Sequence, residues 1–308
     1  MFVAKDKEGN RVTIEEAARG GEYFCPLCGD RVIVKAKESE AVSEHFAHKN
    51  KVECDSWRSV ANVMSEWHRA WQNCFPKECR EVVVQSGGVK HIADVLINND
   101  TVIEFQHSPI TAEEIAERNR FYTECGYKVV WVFDADGKIK NKNKSVDTID
   151  PILCAETDLC WKRPKREFSI KMPENVTIYL QYRTSISNSQ YSGQESDILL
   201  LVKSVDTKQI VFYETSFIDY GANQKVYWYI NKDNFLKEYG GLLPENFSCL
   251  SITEIKQNIE RWYLQQQVEK QRAYAQHSEN RQTKPLLRMP RGIVTRRGVS
   301  VKPKRPRF

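Results

Sequence analysis

Two carboxylates lie on either side of a short polar turn in "HIADVLINNDTVIEFQ", residues 91–106. If Asn98–Asp100 forms the loop of an antiparallel hairpin, Asp94 lies directly across from Glu104. Facing like charges, about 5 Å apart at their Cβ atoms, destabilise a sheet. A divalent cation between them would reverse that penalty, and Mg²⁺ binds carboxylate oxygens together with water and phosphate oxygens. The pattern therefore predicts a catalytic Mg²⁺ (or Mn²⁺) site.

Two further polar side chains extend this candidate site. Strand alternation places Gln106 on the same face as Glu104. Glu66, on the preceding helical segment, could fold over that face. The predicted catalytic set is therefore Glu66, Asp94, Glu104 and Gln106, in which Asp94 and Glu104 bind the metal. Glutamine can orient a water molecule through its amide, but it cannot act as a base or supply a positive charge.

Three histidines near these residues are left outside the predicted set. His68 is two positions from Glu66, so a helix turns the two side chains about 200° apart. His107 follows Gln106 directly, so strand alternation points it to the opposite face. We expect His68 to be structural, and we assign no catalytic role to His91 or His107.

A second cluster has the spacing of a metal site. Cys25-x2-Cys28 is followed by His45 and His48, and then by Cys54. A C-x2-C pair combined with a distant second pair is typical of structural zinc. We predict Cys25, Cys28, His48 and Cys54 as the four Zn²⁺ ligands, with His45 as the alternative to His48. The other interpretation is a reduced cysteine hairpin that binds no metal.

The elements that must position these residues can be read from periodicity. Residues 56–75 carry apolar side chains at helical spacing. Three strand-like runs follow, separated by Gly87-Gly88 and by Asn98–Asp100. Thr111 with Glu114 three residues later predicts a helix start, and an apolar strand closes the unit at residues 127–134. The predicted order is helix, three strands, helix, strand.

Several short segments together resemble the CoiA-like competence protein family: "CPLCG", "HFAH", "SEWHRAW", "HIADVLI", "IEFQHSPI" and "RNRFY". The resemblance covers about residues 20–166. It implies an α/β (α+β) fold with a PD-(D/E)XK-type nuclease core, preceded by a zinc-ribbon-like module and followed by a mixed β-rich region. It also implies the same four catalytic residues. Gln106 stands where the wider nuclease superfamily carries lysine. Arg118 and Tyr122 fall on recurrent family positions and are candidate nucleic-acid contacts, although an ion pair is an equal expectation for Arg118.

Basic residues concentrate in two segments. Residues 160–168 interleave Trp161 and Phe168 with lysine and arginine, a combination that suits single-stranded nucleic acid. From Arg261 to the end, 13 Lys/Arg stand against 2 Asp/Glu, whereas the whole chain carries only +5. Such a concentration indicates a polyanionic partner, although a solvated linker and a solubilising tail are the alternatives. The candidate contacts in these segments are Lys162, Arg163, Lys165, Arg166, Arg296 and Arg297.

The chain of 308 residues has the composition of a globular protein, with 41% hydrophobic and 28% charged residues. It shows no apolar run long enough to cross a membrane and no secretory signal, so we expect a cytoplasmic protein with reduced cysteines. The predicted organisation is a zinc-ribbon-like module (1–54), a nuclease core (55–150), a β-rich region with a helix (151–275) and a basic tail (276–308).

Three functions are compatible with these features. The first is a Mg²⁺-dependent deoxyribonuclease that processes imported or foreign DNA, in competence, recombination or phage defence. The second is a non-catalytic DNA-binding or recruitment module on a degenerate nuclease core, an alternative that Gln106 keeps open. The third is a zinc-stabilised protein-interaction adaptor. DNA is the expected partner, and a protein partner through the C-terminal region is a further expectation.

Overall fold

The structure is a computed structural model of the chain. It describes residues 1–36, 43–50, 54, 65–141, 147–149, 152–155, 159–161, 175–186, 194–202, 204–205, 210–211, 213–217, 223–245 and 249–282.

The N-terminal module is an antiparallel five-stranded sheet. Its apolar side chains, among them Phe2, Ile14 and Phe46, form a small core that also takes in Ile92 from the main sheet. The module thus packs against the main sheet. Its strands are β1 (Val3–Lys5), β2 (Arg11–Thr13), β3 (Tyr23–Phe24), β4 (Arg31–Lys35) and β5 (His45–His48), in the order β2-β1-β3-β4-β5.

The next elements follow the predicted order of helix, three strands, helix, strand. A short 3-10 turn, Lys77–Cys79, precedes the first strand of this group. Thr111 caps the second helix by accepting a hydrogen bond from the Glu114 amide at 3.1 Å, as its position predicts. The elements are α1 (Glu66–Gln72), β6 (Arg80–Ser86), β7 (Val89–Ile97), β8 (Thr101–Gln106), α2 (Ala112–Glu124) and β9 (Lys128–Asp134).

The turn between β7 and β8 sets their register. Asn98 and Asn99 have φ of 50° and 54°, a conformation that asparagine tolerates better than most residues. The Asp100 amide donates to the Ile97 carbonyl at 3.1 Å, which closes the turn. The paired residues run from Ile97 with Thr101 to Val95 with Ile103, as the turn predicts.

The chain after β9 extends the same sheet. Parallel pairing joins β9 both to β8 and to a later strand, Val176–Ile186. The large sheet has ten strands, which come from segments before and after residue 150 in the sequence. The predicted domain boundaries stay a prediction. The remaining elements are β10 (Ile139–Asn141), β11 (Asp147–Ile149), β12 (Ile152–Ala155), β13 (Leu159–Trp161), β14 (Val176–Ile186), β15 (Gln194–Leu201), β16 (Ser204–Val205), β17 (Ile210–Val211), β18 (Tyr213–Phe217), β19 (Asn223–Asn231), α3 (Lys232–Glu238) and α4 (Ile252–Gln282).

The large sheet has the order β11-β12-β19-β15-β14-β9-β8-β7-β6, with β18 paired to β19. Its main core packs Trp131, Tyr122, Ile178 and Leu180 between the central strands and α2. The chain divides into a unit of residues 1–259 and a unit of residues 260–308; the described part of the second is the C-terminal portion of α4. Among the described residues, no helix is long and apolar enough to cross a membrane.

Candidate active site and metal cluster

Asp94 lies where the β7–β8 ladder ends. Its side chain is buried, with the residue 5% exposed. The carboxylate replaces a backbone partner, because Oδ2 accepts the amide hydrogen of Phe105 at 3.0 Å. Asp94 is therefore held between the two strands by the backbone of β8.

The helix α1 brings His68, rather than Glu66, to this carboxylate. His68 Nε2 lies 3.2 Å from Asp94 Oδ1, within ion-pair distance but without hydrogen-bond geometry. Glu66, two positions earlier, is exposed and makes no hydrogen bond or ion pair with the described residues. Helix geometry accounts for this exchange, since positions two apart face nearly opposite directions. The metal-shell role of Glu66 remains a prediction.

Glu104 is the most buried acidic residue of the site, with 1% exposure. Its Oε2 accepts a hydrogen bond from Arg118 Nη1 at 2.8 Å, and its Oε1 accepts one from the Tyr122 hydroxyl at 2.9 Å. Arg118 also donates to Glu114 one turn earlier on α2. The cation beside Glu104 in this structure is thus Arg118. Its side chain is only 12% exposed. Of the two expectations for Arg118, an ion pair and a nucleic-acid contact, the ion pair is the one that this structure contains.

The electrostatics of α2 depend on both carboxylates. Burial and the charge of Glu104 raise the pKa of Tyr122 well above its usual value, and Asp94 adds to the effect. Burial opposes the charged form of Arg118, but Glu104, Glu114 and Asp94 outweigh it and raise the Arg118 pKa. Both groups therefore keep their protons, and both stabilise the negative charge of Glu104.

Gln106 and the basic candidates complete the predicted set. The Gln106 amide donates to the Ser108 carbonyl at 2.6 Å, so its nitrogen is engaged within its own loop. The remaining candidate contacts lie outside the described residues, and their roles stay predictions: Lys162, Arg163, Lys165, Arg166, Arg296 and Arg297.

A residue that sequence analysis missed, Gln181, fixes α1 over the sheet. It lies on β14, beside Asp134 of β9. Its Oε1 accepts hydrogen bonds from the indoles of Trp67 and Trp71, each at 2.8 Å. Trp71 in turn stacks on Phe105, with ring centroids 5.3 Å apart. One side chain from the C-terminal half of the sheet thereby holds the helix that carries His68.

Replacing Gln181 with leucine is expected to lower the free energy of unfolding by about 2–4 kcal/mol, because two indole N–H groups lose their acceptor at once. Gln181→Glu keeps an acceptor oxygen and serves as the matched control. Urea denaturation measures both variants. Equal stabilities of the leucine and glutamate variants would show that the bifurcated contact is not what holds α1.

The buried tyrosines predict a loss of stability at alkaline pH. The pKa values of Tyr122 and Tyr179 are raised well above 10 by burial first, whereas tyrosines of the unfolded chain ionise at about pH 10. The unfolding free energy should therefore stay level below about pH 10 and fall as the pH rises toward the folded pKa values. Urea denaturation at several alkaline pH values tests this. Tyr122→Phe should flatten the fall, and Tyr274→Phe, at a residue that is 75% exposed, should not.

The cysteine–histidine cluster is assembled in the N-terminal module. The donor atoms of Cys25, Cys28, His48 and Cys54 all lie within 4.8 Å of one another, so these four residues could hold a metal ion. Cys25 Sγ and Cys54 Sγ are 3.7 Å apart, close to the roughly 3.8 Å edge of a tetrahedron with Zn–S bonds of about 2.3 Å. His45 is turned away, with Nδ1 2.9 Å from the Ser43 carbonyl oxygen.

Burial and mutual contacts shift the pKa values of the three thiols in this cluster. The hydrogen bond with Cys54 lowers the pKa of Cys25 to about 5. That same contact raises the pKa of Cys54, and burial raises the pKa of Cys28. Metal binding requires thiolates and releases their protons. A soft divalent metal would therefore favour the thiolate form of all three cysteines.

The comparisons with known proteins match two parts of the chain. Residues 7–56 match the family model of the competence protein CoiA N-terminal domain, and residues 85–200 match the competence protein CoiA nuclease-like domain. The two matches together cover more than half of the chain. They include the metal cluster, both buried carboxylates and Gln181. Comparison with curated proteins and with solved structures finds no match.

Proposed function

This chain belongs to the CoiA-like competence protein family, and we propose that it is a Mg²⁺-dependent nuclease that hydrolyses phosphodiester bonds in DNA. One observation carries the proposal: two buried carboxylates, Asp94 and Glu104, lie directly beyond Val95 and Ile103, the last paired residues of the β7–β8 hairpin, in the nuclease-like domain. Burial of acidic side chains is costly unless they are paired or bind a cation. Arg118 supplies that pairing for Glu104, so the support for a bound cation is the second buried carboxylate, Asp94, which accepts the amide hydrogen of Phe105, the residue next to Glu104.

The donor set fits Mg²⁺ in its chemistry. Mg²⁺ prefers oxygen ligands and is usually held by one or two carboxylates together with phosphate oxygens. Asp94 and Glu104 would hold it, and bound there it would polarise the scissile phosphate. Mn²⁺ prefers the same ligands.

The chain's own residues prepare this site. The Phe105 amide donates to Asp94 Oδ2, and His68 Nε2 lies 3.2 Å from Asp94 Oδ1. Arg118 and Tyr122 fix the orientation of Glu104. Such partners keep the ligating oxygens in place and tune their basicity. Preorganised carboxylates pay little reorganisation cost when substrate arrives.

The Cys/His cluster is proposed to bind structural zinc. Its four protein donors complete a tetrahedral set, and a closed set leaves no position for substrate. Phe46 and Cys25 belong to the same small core, which reaches the main sheet at Ile92. Zinc in this position would hold the module against the sheet rather than take part in hydrolysis.

A second function, DNA binding without cleavage, is favoured by the contacts of the site. Both Glu104 oxygens accept hydrogen bonds from protein donors, and the Gln106 amide is bound to Ser108. A degenerate nuclease core would show such internal pairing. In both functions DNA is the proposed partner, with the basic segments adding affinity that falls as salt rises.

A cleavage assay separates the two functions. Wild-type protein should cut plasmid and linear DNA in Mg²⁺, and should lose activity in EDTA and as Asp94→Asn. The asparagine keeps the size of the side chain but removes its charge, and it should still bind DNA. Binding without cleavage by wild type would establish the second function, and cleavage that survives both EDTA and Asp94→Asn would exclude the proposed site.

A further inference from the structure

Glu81 is a buried acidic residue outside the predicted catalytic set, and it lies on the strand next to Asp94. Its exposed fraction is 3%. The residues on either side of Glu81 in β6 are paired with the residues on either side of Asp94 in β7, so Glu81 faces Asp94 across the two strands. A carboxylate is costly to bury unless it is hydrogen-bonded, and its contacts therefore show what it holds.

The backbone of Glu81 departs from regular strand geometry. Its φ is 45°, whereas antiparallel strands have φ of about −140°. A side chain other than glycine, asparagine or aspartate rarely adopts this conformation, and the conformation persists only where the surrounding structure holds it. The strand β6 is thus distorted directly opposite Asp94, and the distortion requires a contact that maintains it.

The carboxylate of Glu81 makes that contact with the N-terminal segment of the chain. Its Oε2 accepts the amide hydrogen of Phe2 at 2.6 Å and that of Val3 at 2.9 Å. The same segment is bonded to β5 through the Phe46 amide, and β5 belongs to the module that carries the Cys/His cluster. One oxygen of Glu81 therefore joins the N-terminal module to the sheet position that faces Asp94.

Asp94 is held by two further elements. Its carbonyl oxygen accepts a hydrogen bond from Gln72 Nε2 of α1 at 3.2 Å, and its carboxylate accepts the Phe105 amide hydrogen from β8. Gln72 is 2% exposed and lines the same small cavity as Glu81 and Phe2. The position of Asp94 thus depends on β6, α1 and β8, and the β6 contribution rests on Glu81.

We propose that Glu81 is a positioning residue for the metal site: by joining β1 to β6, it holds the β7 backbone so that the Asp94 carboxylate lies where the divalent cation binds. This inference rests on the proposed function and extends it, because it gives the N-terminal module a part in metal binding although that module supplies no predicted ligand there. Residues that orient metal ligands in this way usually change metal affinity by about 10–100-fold when they are replaced.

Mn²⁺ titration of the zinc-loaded protein tests the proposal, with free Mn²⁺ measured from its electron paramagnetic resonance signal. Glu81→Met keeps the length of the side chain but removes the acceptor oxygen, and the Kd for Mn²⁺ should rise about 10-fold. Glu81→Gln keeps one oxygen that can accept both amides and should stay within about threefold of wild type.

Glu16→Gln is the matched control. Glu16 also joins the N-terminal module to the rest of the chain, through an ion pair with Lys77 at 2.9 Å, but its side chain is 50% exposed. This substitution should leave Mn²⁺ affinity unchanged. Equal losses of affinity in the folded Glu81→Met and Glu81→Gln variants, or wild-type affinity in Glu81→Met, overturn the positioning role while the metal site stands.

A second measurement uses the wild-type protein alone. Coupling between two sites is reciprocal, so saturating Mg²⁺ should slow hydrogen exchange at the Phe2 and Val3 amides more than at the Val32 amide of β4, as NMR can follow. Exchange at Phe2 and Val3 that is unchanged by Mg²⁺, or slowed only as much as at Val32, overturns the inference. Wild-type protein that binds no Mn²⁺ beyond the Cys/His cluster overturns the proposed metal site as well.

Discussion

Replacing His48 with alanine is expected to remove zinc from the protein and to destabilise the N-terminal module. Zinc binding to small modules of this kind contributes about 10–16 kcal/mol of apparent free energy. When zinc is present about 1000-fold above its Kd, the loss of binding corresponds to about 4 kcal/mol of unfolding free energy. Metal content by elemental analysis and urea denaturation with and without chelator measure the two effects.

His45→Ala is the matched control for this prediction. His45 lies on the same strand as His48 and bonds the Ser43 carbonyl instead of facing the sulfurs. Its loss should leave one zinc per chain and cost no more than about 1 kcal/mol. If His48→Ala keeps its zinc, or if His45→Ala loses it, the ligand assignment is wrong.

Glu104→Gln is expected to lower the unfolding free energy by about 3 kcal/mol or more. The change removes the buried charge that faces Arg118, whose side chain is only 12% exposed, and breaking one partner of a buried ion pair is strongly destabilising. Combining it with Arg118→Met should recover much of the loss, because the charge that then lacks a partner is that of Glu114, whose side chain is 32% exposed, and not a buried one. Urea denaturation of the two single variants and the double variant completes the cycle.

Glu114→Gln provides the comparison for the same arginine. Glu114 also pairs with Arg118, but its side chain is 32% exposed, so the pair is screened by solvent and its loss should cost less than about 1 kcal/mol. Equal effects of the Glu104 and Glu114 substitutions would contradict the picture of a single buried ion pair beneath the site.

Local patterns predicted the hairpin and the metal cluster well. The Asn98–Asp100 turn determined the register of β7 and β8 because asparagine accepts positive φ, and the observed pairing of Val95 with Ile103 follows from it. Cys25 and Cys28 lie three residues apart in sequence, so their convergence needs only one turn. Features decided within a few residues were thus accessible from the sequence.

Contacts between distant segments were not accessible in the same way. Gln181 is over 100 residues from the tryptophans that it binds, and its position depends on parallel pairing of β14 with β9, which no turn between them specifies. The position of His68 beside Asp94 depends on the packing of α1, which selects the helix face that meets the sheet. The counter-charge of Glu104 likewise comes from α2, where an ion pair and a phosphate contact were equally expected for Arg118.

The most direct test of the central claim is a crystal structure of the protein grown with saturating Mn²⁺, with anomalous scattering used to locate the metals. A manganese peak is expected within about 2.2 Å of carboxylate oxygens of both Asp94 and Glu104. The Cys/His cluster, whose four residues could hold a metal ion, is expected to give a second peak and so provides an internal positive control in the same crystal. A strong peak at that cluster together with no peak between the two carboxylates would contradict the assignment of this site as a metal-dependent nuclease centre.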